Sequence, residues 1–302
     1  MRIRVSGLRR TAGAPEAVTY GQKMSNNTTL RPPLPQLSFL PAPVLRPYIR
    51  AYRFFDLDAR HPYVVPAWTR AMMLIRYGDF FEARYPDGAA VPHLRASFFG
   101  PTTRPLRYGS ESGRYRFVSV EFYPGVMPQM LRERMTAFLG RVVPADTFLA
   151  QARLDELSGE LCEARDTAQR RVALDRFLAE QLPLQEVETQ RWLQRGLQLV
   201  HGSSGRLNAV DLARALDSSP RTLRRRFNDV LGLPPQLYRR IMRTERALGL
   251  VYARPHLSGS QIALALGFSD QSHLLHDLGQ FAGITPGRAR EDLSTGIGPL
   301  HD

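Results

Sequence analysis

The chain has 302 residues, 43% of them hydrophobic, and a formal charge of +13 from 41 basic against 28 acidic side chains. That length supports two ordinary cores more readily than one, and no apolar run approaches the roughly 20 residues of a membrane-spanning helix. Lys23 is the sole lysine, so the basicity is arginine, whose planar fork of donors suits phosphates and guanine edges. Genome composition can also favour arginine, so the charge by itself only suggests a polyanionic partner. Cys162 stands alone, as a packed or surface thiol, which fits a reducing compartment. The basic N-terminus lacks the apolar stretch of a secretory signal, and a cytoplasmic location is expected, with no membrane partner.

In chain order, residues 1–36 read as a disordered basic tail, with Pro32, Pro33, Pro35 and the polar run Ser25 to Thr29 and no apolar periodicity. Met24 is an alternative start. Residues 37–145 then read as mostly β, through short apolar or alternating runs at Tyr48 to Phe55, Met72 to Tyr77, Ala96 to Phe99 and Phe117 to Phe122. Gly109 to Gly113 looks like a hairpin connection, and Val118, Val120 and Phe122 share one strand face. Val126 to Leu139 reads as one helix. The expected class is α+β, with a β domain that could close as a small barrel. Tyr52, Phe54, Trp68, Tyr77 and Arg104 could line an effector pocket, with Tyr52, Trp68 and Arg104 the chosen contacts, although aromatics in strands are more often core.

Residues 146–187 carry helical periodicity, through Leu154 to Ala164 and Ala168 to Glu180, and form a helical connector. Val172, Leu174, Phe177 and Leu178 would serve a dimer surface or, more commonly, pack within the chain. The remainder, 188–293 with a tail at 294–302, reads as all helix, opening with Glu188 to His201.

Two helix-turn-helix patterns follow. Leu207, Val210, Leu212, Ala213 and Leu216 make a short helix, Asp217 to Ser219 interrupt it, and Pro220 opens a second, with Ser219 as N-cap. On a helical wheel Leu223, Phe227 and Val230 share one side, whereas Arg221, Arg225 and Asn228 lie opposite with Arg224 at the flank. Arginine can bond guanine bidentately and asparagine can bond adenine, so that polar face suits a major groove; an isolated basic helix is otherwise a solvated face. Ser260 to Leu266, Gly267, Phe268 and a helix from Ser269 to about Phe281 repeat the arrangement. Between them Pro235 to Ala253 reads as one helix with a stripe at Leu237, Ile241, Thr244, Leu248 and Val251. Its 19 residues span about 28 Å at ~1.5 Å each, of the order of one DNA turn at ~34 Å.

The residues from Glu188 to Leu293 closely resemble the AraC/XylS family of regulators. The likeness lies in Ala213 to Leu216, Ser219 to Phe227, Gly232 to Pro235 with Tyr238, Arg243 to Ala247, Ile262 to Leu274, and Phe281, Gly283, Thr285, Pro286 and Arg290. It implies that Arg221, Arg224 and Arg225 stand where the first unit contacts bases, and Gln271, Ser272, His273 and His276 where the second does. Thr222, Asn228 and Ser269 complete the DNA-contacting set, and Ser219, Arg226 and Arg239 are assigned to phosphates. Shorter stretches, Leu45 to Ile49 with Tyr52, Gly100 to Leu106, Phe122 to Gly125 and Arg141 to Pro144, resemble the N-terminal domain of one uncharacterised group of these regulators. That implies a sensor or dimerisation role.

The second recognition helix departs from the family in carrying no arginine or lysine, and Asp270 and Asp277 are acids, whereas Ser219 to Leu231 has four arginines against Asp229. The first unit is therefore expected to dominate base readout, unless Arg288 and Arg290 compensate. The expected partners are double-stranded DNA, a small-molecule effector, a second copy of the chain and RNA polymerase. Two other readings stand beside this one: an architectural DNA binder without sequence preference, and an enzyme on a β barrel. His61 and His93 are isolated, and neither a phosphate loop nor a nucleophile elbow is present, so no metal, cofactor or catalysis is expected.

Overall fold

The computed structural model describes residues 36–58, 63–77, 94–108, 114–182, 189–203 and 206–283. Residues 1–35 of the basic tail, His61, His93, Gly109 to Gly113, Thr285, Pro286, Arg288, Arg290 and the tail 294–302 lie outside the described residues.

The first domain is built on eight strands among the described residues: β1 (Gln36–Phe39), β2 (Ile49–Asp58), β3 (Tyr63–Val65), β4 (Ala71–Arg76), β5 (Ala96–Phe99), β6 (Leu106–Tyr108), β7 (Arg114–Phe122) and β8 (Val142–Pro144). Six form an antiparallel sheet in the order β1-β2-β7-β4-β5-β8, and β3 pairs with β6. The sheet stays open. The barrel considered from sequence does not form, because the apolar face is covered by helices rather than by the sheet itself. Helices α2 (Gln151–Glu163) and α3 (Thr167–Gln181) place Leu154, Leu157, Leu161, Leu174, Phe177 and Leu178 in one core with Tyr52, Phe54, Met73, Ile75, Phe98, Val118 and Val120. The segment read as a connector or dimer surface therefore packs inside the chain, although Val172 stays 63% exposed. The single helix expected over Val126 to Leu139 is two pieces. Helix α1 (Val126–Leu131) ends where Arg132 turns left-handed at φ 53, and a 3₁₀ turn spans Met135–Phe138.

Central strand β7 is buried on both faces. Val118, Val120 and Phe122 face the helices, while Ser119 and Glu121 are buried on the other side. There Arg53 Nε lies 3.1 Å from Glu121, and Arg70 bridges Glu121 and Glu245 at 3.7 and 3.3 Å. This line of charges leads from the sheet into the second domain.

The second domain comprises α4 (Thr189–Gly202), α5 (Ala209–Ala215), α6 (Pro220–Leu231), α7 (Pro235–Ala253), α8 (Gly259–Leu266) and α9 (Gln271–Ala282). Long helix α7 serves two cores. Its N-terminal part places Tyr238, Ile241 and Met242 with α4, α5 and α6, and its C-terminal part places Ala247, Leu248 and Val251 with α8 and α9. Phe281, at the end of α9, reaches back into the first of these cores, as does Ala67 from the sheet domain. The Ala67 amide donates to the Phe281 carbonyl at 2.7 Å. Gly232, at φ 73, closes α6 where an added Cβ would come within 3.0 Å of the Met135 carbonyl, so only glycine lets the two backbones approach so closely.

Candidate nucleic-acid interface

Helix α6 starts abruptly because Ser219 Oγ accepts the Thr222 amide at 3.1 Å and Pro220 supplies the first helical residue. Leu223 and Phe227 are fully buried and Leu231 nearly so, which turns Arg221, Arg224 and Arg225 outward. None of those three side chains engages a described residue through a hydrogen bond, ion pair or ring contact, so the polar face proposed from the wheel is available. The other first-unit candidates are more constrained. The Ser219 hydroxyl donates to Thr222 Oγ1 at 3.0 Å within the cap, and Arg226 lies 5.0 Å over the ring of Trp192, on the flank of the helix. Asn228 is half-buried. Arg239 on α7 is also half-buried, and loss of hydration lowers the pKa of its guanidinium.

A cleft of about 610 Å³ runs along this face, lined by Arg221, Arg224, Arg225, Asn228 and Asp229. Arg134 and Thr136 of the first domain form its other side. No local pattern marks these two residues, since their place depends on how the domains dock.

The second unit uses its polar residues differently. Asp270 caps α9 by accepting the His273 amide at 2.8 Å, and that bond, followed by one from Ser269, holds its carboxyl below the usual range. Ser269 Oγ also meets His273 Nδ1 at 3.1 Å, and His273 packs edge-on to Phe268. Gln271 Oε1 accepts from Ser260 Oγ of α8 at 2.9 Å. Ser269, Gln271 and His273 thus make bonds that hold the unit together, whereas Ser272 is exposed and His276 keeps 69% of its side chain in solvent with Nδ1 3.5 Å from Asp277 Oδ1.

Asp277 corrects the sequence reading. The sequence pattern places it as an acid weakening the DNA face, but the side chain is fully buried: Arg240 Nη2 lies 2.6 Å and Arg243 Nη2 3.7 Å from its carboxylate. Both arginines come from α7, and Arg243 also donates to the Gly267 carbonyl at 3.0 Å. The charge is balanced inside the fold, because a buried carboxylate is tolerable only when paired. Local caps went unread as well: Asn208 caps α5, and Ser258 forms a reciprocal capping box with Gln261, a Ser-x-x-Gln pattern visible in the sequence.

The proposed effector contacts are not brought together. Tyr52 is fully buried and donates to Asp175 of α3 at 2.8 Å; burial, then that bond, raises its pKa. Trp68 is buried with its indole N–H on the Gly100 carbonyl at 3.0 Å, and Arg104 is exposed. Tyr52 and Trp68 serve different neighbours. Among the described residues no cluster of three or more His, Cys, Asp or Glu is placed to hold a metal, and no helix is long and apolar enough to cross a membrane.

Comparison with known proteins bears on both domains. A family model described as a helix-turn-helix domain matches residues 212–292, and one described as a domain of unknown function (DUF6597) matches residues 37–144. Among solved structures, a transcriptional regulator with an AraC-type DNA-binding domain from Chromobacterium violaceum is 31% identical, covering 34% of this chain and 92% of its own, with a TM-score of 0.32. Unsaturated fatty acid-bound ToxT from Vibrio cholerae is 12% identical over 82% of this chain and 97% of its own, with a TM-score of 0.47. A DNA-binding transcriptional dual regulator from Escherichia coli K-12 is 18% identical over 34% of this chain and 93% of its own, with a TM-score of 0.31. Curated protein sequences give no match.

Proposed function

The chain belongs to the AraC-type family of helix-turn-helix transcriptional regulators, and from that premise we propose that it binds DNA sequence-specifically with its first helix-turn-helix unit dominating base readout. One observation carries this reading: Arg221, Arg224 and Arg225 are exposed and engage none of the described residues, while three of the five second-unit candidates are held by internal bonds. A bidentate arginine to guanine is worth about 1–3 kcal/mol of discrimination. The second unit contributes shape and polar contacts through Ser272 and His276.

The first domain acts as a sensor or dimerisation module in the cytoplasm, with an effector, a second copy and RNA polymerase as partners. Its contacts with the DNA-binding helices, Ala67 to Phe281 and Arg70 to Glu245, support coupling. Any ligand that favours one docking arrangement shifts DNA affinity by its differential affinity, typically 1–3 kcal/mol. No catalytic step is part of this function.

The test compares Arg225→Ala and His276→Ala at matched salt on a duplex selected from random DNA by the wild-type chain. The arginine variant loses about 1–3 kcal/mol of affinity and relaxes specificity, and the histidine variant loses less. An equal or larger loss for His276→Ala rejects the asymmetry. Competition with scrambled DNA separates an architectural binder, since specific binding exceeds nonspecific by about 10³ or more.

A further inference from the structure

Helix α6 does not present its polar face alone. Across the cleft stands Arg134, with 75% of its side chain exposed and Nη1 3.6 Å from Asp229 Oδ1. Asp229 is the only acid on α6, and unopposed it would repel an approaching phosphate backbone. Arg134 offsets that charge and adds a fourth guanidinium to the cleft. Its location is set by packing: neighbouring Met135 and Phe138 are buried at 1% exposure each, and Gly232 admits the Met135 backbone against the end of α6. The same segment carries exposed Arg132 and exposed Glu133, whose carboxylate accepts the Arg134 amide at 2.9 Å, but neither lines the cleft.

We infer that the DNA interface of the first unit is composite, with Arg134 of the N-terminal domain contacting a phosphate at the edge of the groove that α6 enters. A major groove about 12 Å wide is filled by one helix of about 10–12 Å diameter. A group on a separate segment beside that helix therefore meets the groove's rim, where the phosphates run. Arg134 supplies affinity without base preference.

The inference rests on α6 being the recognition helix, so its test includes a variant that probes that premise separately. Full-length wild type, Arg134→Ala, Arg134→Lys, Arg225→Ala and Arg165→Ala are titrated between 50 and 200 mM salt. The probes are a duplex selected from random sequence by the wild-type chain and a scrambled duplex. Arg165 is exposed on the first domain and does not line the cleft, so its variant controls for net charge. One lost phosphate contact lowers the salt slope by about 0.9 and affinity about eightfold at 0.1 M, on both duplexes alike. Arg134→Ala shows both changes with an unaltered melting curve, Arg134→Lys restores the slope, and Arg165→Ala does neither. Unchanged binding by Arg134→Ala overturns the inference, and so does tighter binding, which would make the segment an obstruction. If Arg225→Ala also leaves the selected duplex unaffected, the assignment of α6 itself falls.

Discussion

Counted from their N-caps, Ser219 and Asp270, the two recognition helices share one buried pattern: Leu223 and Leu274, Phe227 and Leu278, Leu231 and Ala282 all turn inward, and Gly232 and Gly283 end both helices left-handed. The outward positions diverge. Arg221, Arg224 and Arg225 correspond to Ser272, Leu275 and His276, and Arg226, stacked on Trp192, corresponds to the buried Asp277. The same backbone has been used once to display charge and once to enclose it. A motif therefore specifies where a helix lies, while the groups at four positions decide how much charge it presents to solvent and how much it encloses.

The sharpest break in that comparison is Asp277→Ala. It leaves Arg240 and Arg243 facing an uncharged interior and lowers stability by about 3–5 kcal/mol, whereas Arg226→Ala at the matching position costs about 1 kcal/mol or less; denaturant unfolding distinguishes them. Next, His276→Arg carries a first-unit feature into the second. Its exposed site accepts the longer side chain, and affinity for the selected duplex rises by on the order of 1 kcal/mol with a steeper salt slope. Gly279→Ala in α9 is smaller: a Cβ there meets nothing within 4 Å, so unfolding shifts upward by about 0.8–1.0 kcal/mol. Gly196→Ala, behind the first unit, gains nothing comparable because its Cβ would press on Leu216 at 3.2 Å.

The smallest effect is a pH slope. Partial loss of hydration, then Arg246 and Arg50, lowers the pKa of His201 in α4 from its ordinary 6.5. The unfolded chain then binds a proton that the folded chain refuses, so His201 costs stability as pH falls below 6.5 and nothing above it. A stability profile from pH 7 to 5 should be flatter for His201→Gln. An unchanged slope would assign the acid sensitivity to other groups.

What the sequence made legible was local. Ser219 and Pro220 placed the start of α6, and Pro235 to Ala253 are the observed limits of α7, because capping and proline chemistry act within one turn. The open sheet was not readable, since it depends on α2 and α3 crossing to the face of β7. Asp277 left a trace that was missed. It sits with Leu274, Leu278 and Phe281 on the three-and-four spacing of the buried stripe, which marks an enclosed carboxylate, but its partners Arg240 and Arg243 lie more than thirty residues earlier. Arg134 offered no trace, because only the docked domains bring it to α6.

Phe281 carries a consequence for the DNA itself. Its ring lies in the core beneath α6, under the guanidinium of Arg240, and its carbonyl takes the Ala67 amide. The far end of the second reading helix is thereby pinned to the first unit, and α7 is not the only spacer between them. The pair should therefore act as a fixed-gauge caliper: one base pair inserted between two half-sites rotates the second by about 35° and moves it about 3.4 Å, and the expected outcome is weaker binding of the full-length chain.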